Sequence, residues 1–180
     1  MKILFLFAMM TASTALAQSP VKVIKQSQPE KALILEVLVP ATTSEVWRAF
    51  STSEGLSTWL TPNAVVDLQT GGEWTAHYPG GKTGGGNILT FIREKEMVLA
   101  AMAPEQFPTV RRERTTVKFQ LVDEGKSTLV RLTQTGWKPG EEWDRAYDYL
   151  AKGNAELLEA LRRRFIEGPI DWVKEWGISK

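Results

Sequence analysis

The chain contains no cysteine, and only one histidine, in 180 residues. Without cysteine there is no disulfide cross-link, no thiolate nucleophile, no cysteine-based metal site and no lipid-anchored processing site. One histidine cannot build a metal centre of paired imidazoles, and no metal site is expected. By its position it does not complete a Ser-His-Asp relay either. A large excess of one charge is also lacking. Lys and Arg total 22 against 21 Asp and Glu, a formal net charge of +1. The broad basic footprint of a nucleic-acid binder is therefore missing, and no nucleic-acid partner is expected. The apolar run at residues 3–10 is too short to cross a bilayer, and Thr11, Ser13 and Thr14 interrupt its continuation. No internal repeat is present, and no cofactor is expected.

What is present begins with a targeting pattern. Lys2, the apolar run at 3–10 and the small-residue step Ala15-Leu16-Ala17 form the three parts of a secretory signal peptide cleaved after Ala17. Lys2 is the only charge in that segment, so its removal leaves 21 positive against 21 negative side chains. The expected compartment is the periplasm or the cell exterior, with no integral membrane segment after processing. Residues 18–30 read as a leader with an early edge strand at 21–24. Residues 31–167 read as one domain with a single core, and 168–180 as a tail carrying Trp172 and Trp176.

The body of the chain is punctuated clearly. Residues 32–39 are apolar and partly β-branched, long enough for one strand, and Pro40 stops the ladder. Thr43 or Ser44 is a candidate N-cap for a first helix, with Val46, Trp47 and Phe50 on its apolar face. Ser53 is a candidate cap for a second, with Leu56, Trp59 and Leu60 on its buried side. Two helices this short are marginal alone and must rest on something larger. Strands then come at 64–68, 73–78, 87–93, 97–102, 115–122 and 127–136, with inward positions such as Val117, Phe119, Leu121, Val130 and Leu132. Residues 79–86 read as a flexible connection, and 103–112, with Pro104 and Pro108, as a loop. The period changes to three or four from Gly140 to about Glu167, giving one long helix with Glu141 and Glu142 at its start and Arg162, Arg163 and Arg164 near its end. Strands joined by short turns imply an antiparallel meander, and the long helix is the element able to cover its apolar face.

This order and these residues resemble the START-like, or SRPBCC, superfamily. The closer likeness is to its branch of homologues of the activator of the heat-shock-protein-90 ATPase. The matching pieces are Val39-Pro40-Ala41, Val46-Trp47, the step from Gly55-Leu56 to Trp59, Gly71-Gly72-Glu73-Trp74, and Gly136-Trp137 leading to Trp143. The resemblance spans roughly residues 31–165. It implies an α+β helix-grip fold, a curved antiparallel sheet wrapped around a long C-terminal helix, with a cavity between them. Carried over by position, the cavity wall would be Trp59, Trp74, Phe91, Met102, Phe119, Val130, Trp143, Tyr147 and Leu150. Members of the superfamily bind lipids, sterols or polyketides, act as cyclases or assist chaperones. The resemblance therefore implies a small hydrophobic or amphipathic ligand, lipid-like or polyketide-like. A cyclase- or hydrolase-type enzyme using the same cavity, or a co-chaperone-like interaction module, are the alternatives. The signal peptide argues against the cytosolic chaperone as partner.

Individual side chains refine this. Asn154, preceded by Gly153, is a polar gap in an apolar helical stripe and is expected to face the cavity, where it and Tyr147 could hydrogen-bond a ligand. His77 alternates away from Trp74 and is expected to face solvent. Glu141, Glu142 and Asp144 beside Trp143 could form an acid–base pair, and a favourable helix-dipole position explains them equally well. No residue is assigned a catalytic role. The run Gly80 to Gly86 contains Gly-Lys-Thr, but without the spacing or the succeeding helix of a phosphate loop. Arg111, Arg112, Arg114 and Arg162 to Arg164 read as solvated surface charge.

Overall fold

The computed structural model describes residues 20–177, and the expected signal peptide lies outside them. The first strand, β1 (Lys22–Gln26), pairs antiparallel with β2 (Ala32–Val39). After Pro40 come α1 (Thr43–Ser51) and α2 (Ser53–Ser57), then β3 (Asn63–Val66) and β4 (Glu73–His77). Next are β5 (Thr83–Ile92), β6 (Glu96–Met102), α3 (Pro108–Glu113), β7 (Thr115–Asp123) and β8 (Thr128–Thr135). The chain closes with α4 (Glu141–Glu167) and the short α5 (Trp172–Trp176). All eight strands form one antiparallel sheet in the order β1-β2-β8-β7-β6-β5-β4-β3. The two short helices thus carry the chain from one side of the sheet to its far edge, and α4 lies against β2.

Local chemistry sets these limits. The caps are Thr42 and Thr52, each just before the expected residue. Thr42 forms a full capping box with Glu45: its hydroxyl accepts from the Glu45 N–H, and the Glu45 carboxylate accepts from the Thr42 N–H at 2.9 Å. Thr52 Oγ1 accepts from the Gly55 N–H at 2.9 Å. Each such cap is worth about 1 kcal/mol.

Two segments differ from the sequence expectation. Residues 103–112 are not all loop, because Pro108 starts α3 at a first-turn position where its missing N–H is no loss. Gly84, Gly85 and Gly86 are not a loose connection but part of β5. A Cβ on Gly85 would lie 2.1 Å from the Trp74 carbonyl oxygen, and one on Gly86 2.1 Å from that of Ala100, so neighbouring backbones demand glycine there.

The inner face of the sheet is read directly from its register. Leu33, Gln134, Val117, Leu99 and Ile88 stand in one row; Leu35, Leu132, Phe119, Met97 and Phe91 stand in the next. Every member except Phe91 is buried. Phe50 of α1 enters this core, with its ring 4.8 Å from Phe119 and 5.2 Å from Trp59. A smaller core forms under α3 from Ala103, Phe107, Val110, Trp143 and Ala146.

Candidate functional site

Two faces of α4 do different work. Ala151, Leu158 and Leu161 are buried against the sheet, while Leu150, Gly153, Asn154 and Leu157 recur at three-or-four spacing along a neighbouring stripe. That stripe forms one wall of a cavity of about 530 Å³. The opposite wall is the inner sheet, with Trp74, Leu99, Val117, Phe119 and Leu132. Met102, Gly84 and Gly85 close one side, and the exposed Lys82, Glu105, Gln106 and Tyr149 stand at the mouth. The size lies within the range of small-molecule sites, as do the mainly apolar walls with a few polar points.

The polar points are uncharged. Gln134, 2% exposed, is the one polar side chain in its row of the inner face. Its Nε2 donates to Thr115 Oγ1 at 2.8 Å, and its Oε1 accepts from Asn154 Nδ2 at 2.7 Å. A hydroxyl can donate or accept, so the chain Thr115–Gln134–Asn154 can run in either direction. Run one way it presents the Asn154 oxygen to the cavity, run the other way the Asn154 amide hydrogens. Tyr78 adds a phenol whose pKa is raised above 10.0 by burial, which keeps it a neutral donor near pH 7.

The mouth is braced by a cation that the sequence placed in solvent. Arg111 is half-buried. It donates to the Ala103 carbonyl at 2.6 Å and to Thr83 Oγ1 at 2.9 Å, tying the loop before α3 to the start of β5. Arg164 likewise donates to Thr58 Oγ1 at 2.9 Å, whereas Arg112 is exposed.

Of the ten residues expected in the wall, Trp74, Met102, Phe119, Leu150 and Asn154 line this cavity. The other five do not, each for a packing reason. Trp59 donates its indole N–H to the Ala49 carbonyl at 2.9 Å and packs on Phe50, whose ring in turn meets Trp74 and Phe119. Phe91 packs on Trp47, its ring 6.3 Å away, and Val130 sits two pleats from Gln134 among Val37 and Leu121. Trp143 is taken up by the small core under α3. Tyr147 turns toward β2, where its hydroxyl donates to the Ala32 carbonyl at 2.8 Å. Its ring stands edge-on to Trp137.

The helix-start carboxylates are also committed elsewhere. Glu142 Oε1 accepts from the Thr109 and Val110 N–H groups at 2.6 and 3.1 Å, capping α3, which has no cap of its own. Asp144 pairs with Lys31 at 2.6 Å. His77 is half-buried, on the face of β4 opposite Trp74. Gln134 is a cavity-lining residue that the sequence expectation omits. The signal that could have found it is alternation, since it is the next inward step after Val130 and Leu132.

A smaller hollow of about 300 Å³ lies between α1, α2 and the end of α4. Glu45, Glu54, Arg48 and Arg164 give it mixed charge and no single ligand preference. No group of acidic or histidine side chains among the described residues is arranged to hold a metal ion.

The family model described as Activator of Hsp90 ATPase homolog 1-like protein matches residues 40–165. Among solved structures, the chain is similar to a protein of Mesorhizobium loti, MLL2253, at 19% identity and TM-score 0.66, over 78% of this chain and 100% of that one. The Aha1 dimer of Colwellia psychrerythraea is similar at 19% identity and TM-score 0.62, over 76% and 97%. CalU16 of Micromonospora echinospora is similar at 19% identity and TM-score 0.57, over 84% of each chain. These likenesses concern the fold. No curated protein matches the chain.

Proposed function

The chain belongs to the Activator of Hsp90 ATPase homolog 1-like family, and from that premise we propose that it binds one small, largely apolar ligand between its sheet and α4. The observation that carries this reading is the cavity of about 530 Å³, mainly apolar inside, with uncharged polar points at Tyr78 and at the hydrogen-bonded pair Gln134 and Asn154. An isolated ion would be costly among Leu99, Val117 and Leu132, so the buried end of the ligand is neutral. Any charge it bears sits at the mouth, beside Lys82 or Glu105.

Binding is favoured over a chemical step by where the reactive candidates are spent. The Tyr147 hydroxyl is satisfied by backbone, and Glu142 holds α3. The polar groups left in the cavity interior orient rather than titrate near neutrality. The test is native mass spectrometry of protein purified from its own host, followed by lipid extraction. A retained, largely apolar molecule of fitting size is expected. Repeated recovery of empty protein that takes up nothing from a host lipid extract overturns the reading.

We further read the protein as exported, on the pattern of Lys2, the apolar run and Ala15-Leu16-Ala17. No helix among the described residues is long and apolar enough to cross a membrane. Cell fractionation should recover a periplasmic or secreted protein whose first residue is Gln18. A cytoplasmic protein retaining residues 1–17 would refute export.

A further inference from the structure

Gly153 is the glycine of this chain least explained by the protein itself. It lies in the interior of α4, where glycine is among the poorest helix formers. Its backbone is ordinary right-handed helix, so no left-handed turn requires it. A Cβ built there meets no atom within 4 Å, in contrast to the crowded Gly85 and Gly86. Its missing side chain makes room for nothing in the protein, and the space it opens is the cavity. Alanine would give a better helix, and leucine would complete the stripe between Leu150 and Leu157. The chain instead holds a bare stretch of backbone between two leucines about 10 Å apart along the helix axis.

The next residue supplies the second half of the argument. Asn154 also lines the cavity, and its amide nitrogen is bonded to Gln134. Its Oδ1 has no hydrogen-bond partner among the described residues and is not sealed off. A polar atom and an open strip of backbone thus stand side by side.

We propose that Gly153 and Asn154 are the specificity-determining pair of the cavity: a flat, neutral part of the ligand lies on α4 at Gly153, and its hydroxyl, carbonyl or amine group meets Asn154. The inference rests on the ligand-binding reading and narrows it to planar, uncharged molecules with one hydrogen-bonding group. A flexible charged chain gains nothing from either residue.

The experiment uses N-phenyl-1-naphthylamine, a neutral amine with a flat naphthalene ring whose fluorescence rises in apolar surroundings, with the full mature chain. Wild type should bind it. Gly153→Ala should raise Tm by about 2–4 °C through helix propensity while weakening the probe. Gly153→Leu should stay folded and weaken it roughly tenfold or more. Asn154→Leu should weaken this amine while leaving naphthalene, which has no polar atom, bound as before. Folded Gly153→Leu protein that binds the amine as wild type does overturns the role of Gly153, and Asn154→Leu protein that does so overturns the anchor. Both results leave the ligand-binding reading intact. A wild type that binds neither probe overturns the inference, while the ligand-binding reading stands or falls on the native mass spectrometry.

Discussion

Arg114 sits at φ 67° and ψ 156°, a region natural to glycine, and its Nη1 is buried without a hydrogen-bond partner. Burial, then the nearby Arg111, lowers its pKa. Strain of this kind costs about 1–3 kcal/mol, and glycine's extra unfolded-state freedom returns about 0.5–1 of it. Arg114→Gly is therefore expected to stabilise by about 1 kcal/mol in urea unfolding; a loss would show that the guanidinium does structural work. Gln134 gives a prediction of opposite sign. Gln134→Leu strands the buried Thr115 hydroxyl and should cost about 1–3 kcal/mol. Adding Asn154→Leu removes a second orphan, so the double variant should unfold at higher urea than Gln134→Leu alone. At this scale the sequence was readable in kind more than in position. Thr42, Thr43 and Ser44 are all eligible caps, and only the path of the chain after Pro40 selects Thr42. Gln134 is implied by the alternation Val130, Leu132, Gln134, yet its partners Thr115 and Asn154 come from a different strand and from α4.

Helix α3 is the element that local sequence conceals, because its cap comes from Glu142, 33 residues beyond Thr109. Pro104 and Pro108 signal a loop, and the cap position, Phe107, has no side-chain oxygen with which to start a six-residue helix. Burial opposes ionisation of Glu142, and the Val110 and Thr109 hydrogen bonds outweigh it, holding the carboxyl below its ordinary 4.5. A carboxylate lowered in the folded state stabilises fully above that ordinary value and loses its effect as pH falls through the folded one. The Thr109 and Val110 amides should therefore exchange faster as pH drops below 4.5, once the intrinsic acid slowing is divided out. Glu142→Gln should remove that pH dependence, and unchanged protection would mean that α3 is held by Val110 and Phe107 packing alone. The mouth brace is equally an element-level device. Arg111→Ala frees β5 from the loop before α3 and should raise protease sensitivity near Glu105 without unfolding the sheet.

For the molecule as a whole, the hairpins made the meander from β3 to β8 legible, since consecutive strands with short turns leave few arrangements, while the β2–β8 pairing lies beyond any hairpin. The cavity's place between the sheet and α4 was legible through the family resemblance, but its position along the sheet was not. It depends on which end of the grip Phe50, Trp59 and Trp74 fill, a meeting of three separate segments across the sheet. Filling the remaining space should stabilise the fold. A ligand present at about a hundred times its Kd adds about 2.7 kcal/mol, or roughly 5–10 °C in Tm for a chain of this size. A probe that fluoresces with the protein yet leaves Tm unmoved binds somewhere other than the native cavity. The crossing made by α1 and α2 has a consequence for the order of assembly. It sends β3 to the far edge, so β2 waits for β8, with Val37 facing Val130. Such long-range pairing is slow to form, and a nascent chain cannot begin it until most of its length is available. By this topology the sheet is expected to close late, once β8 is available to β2.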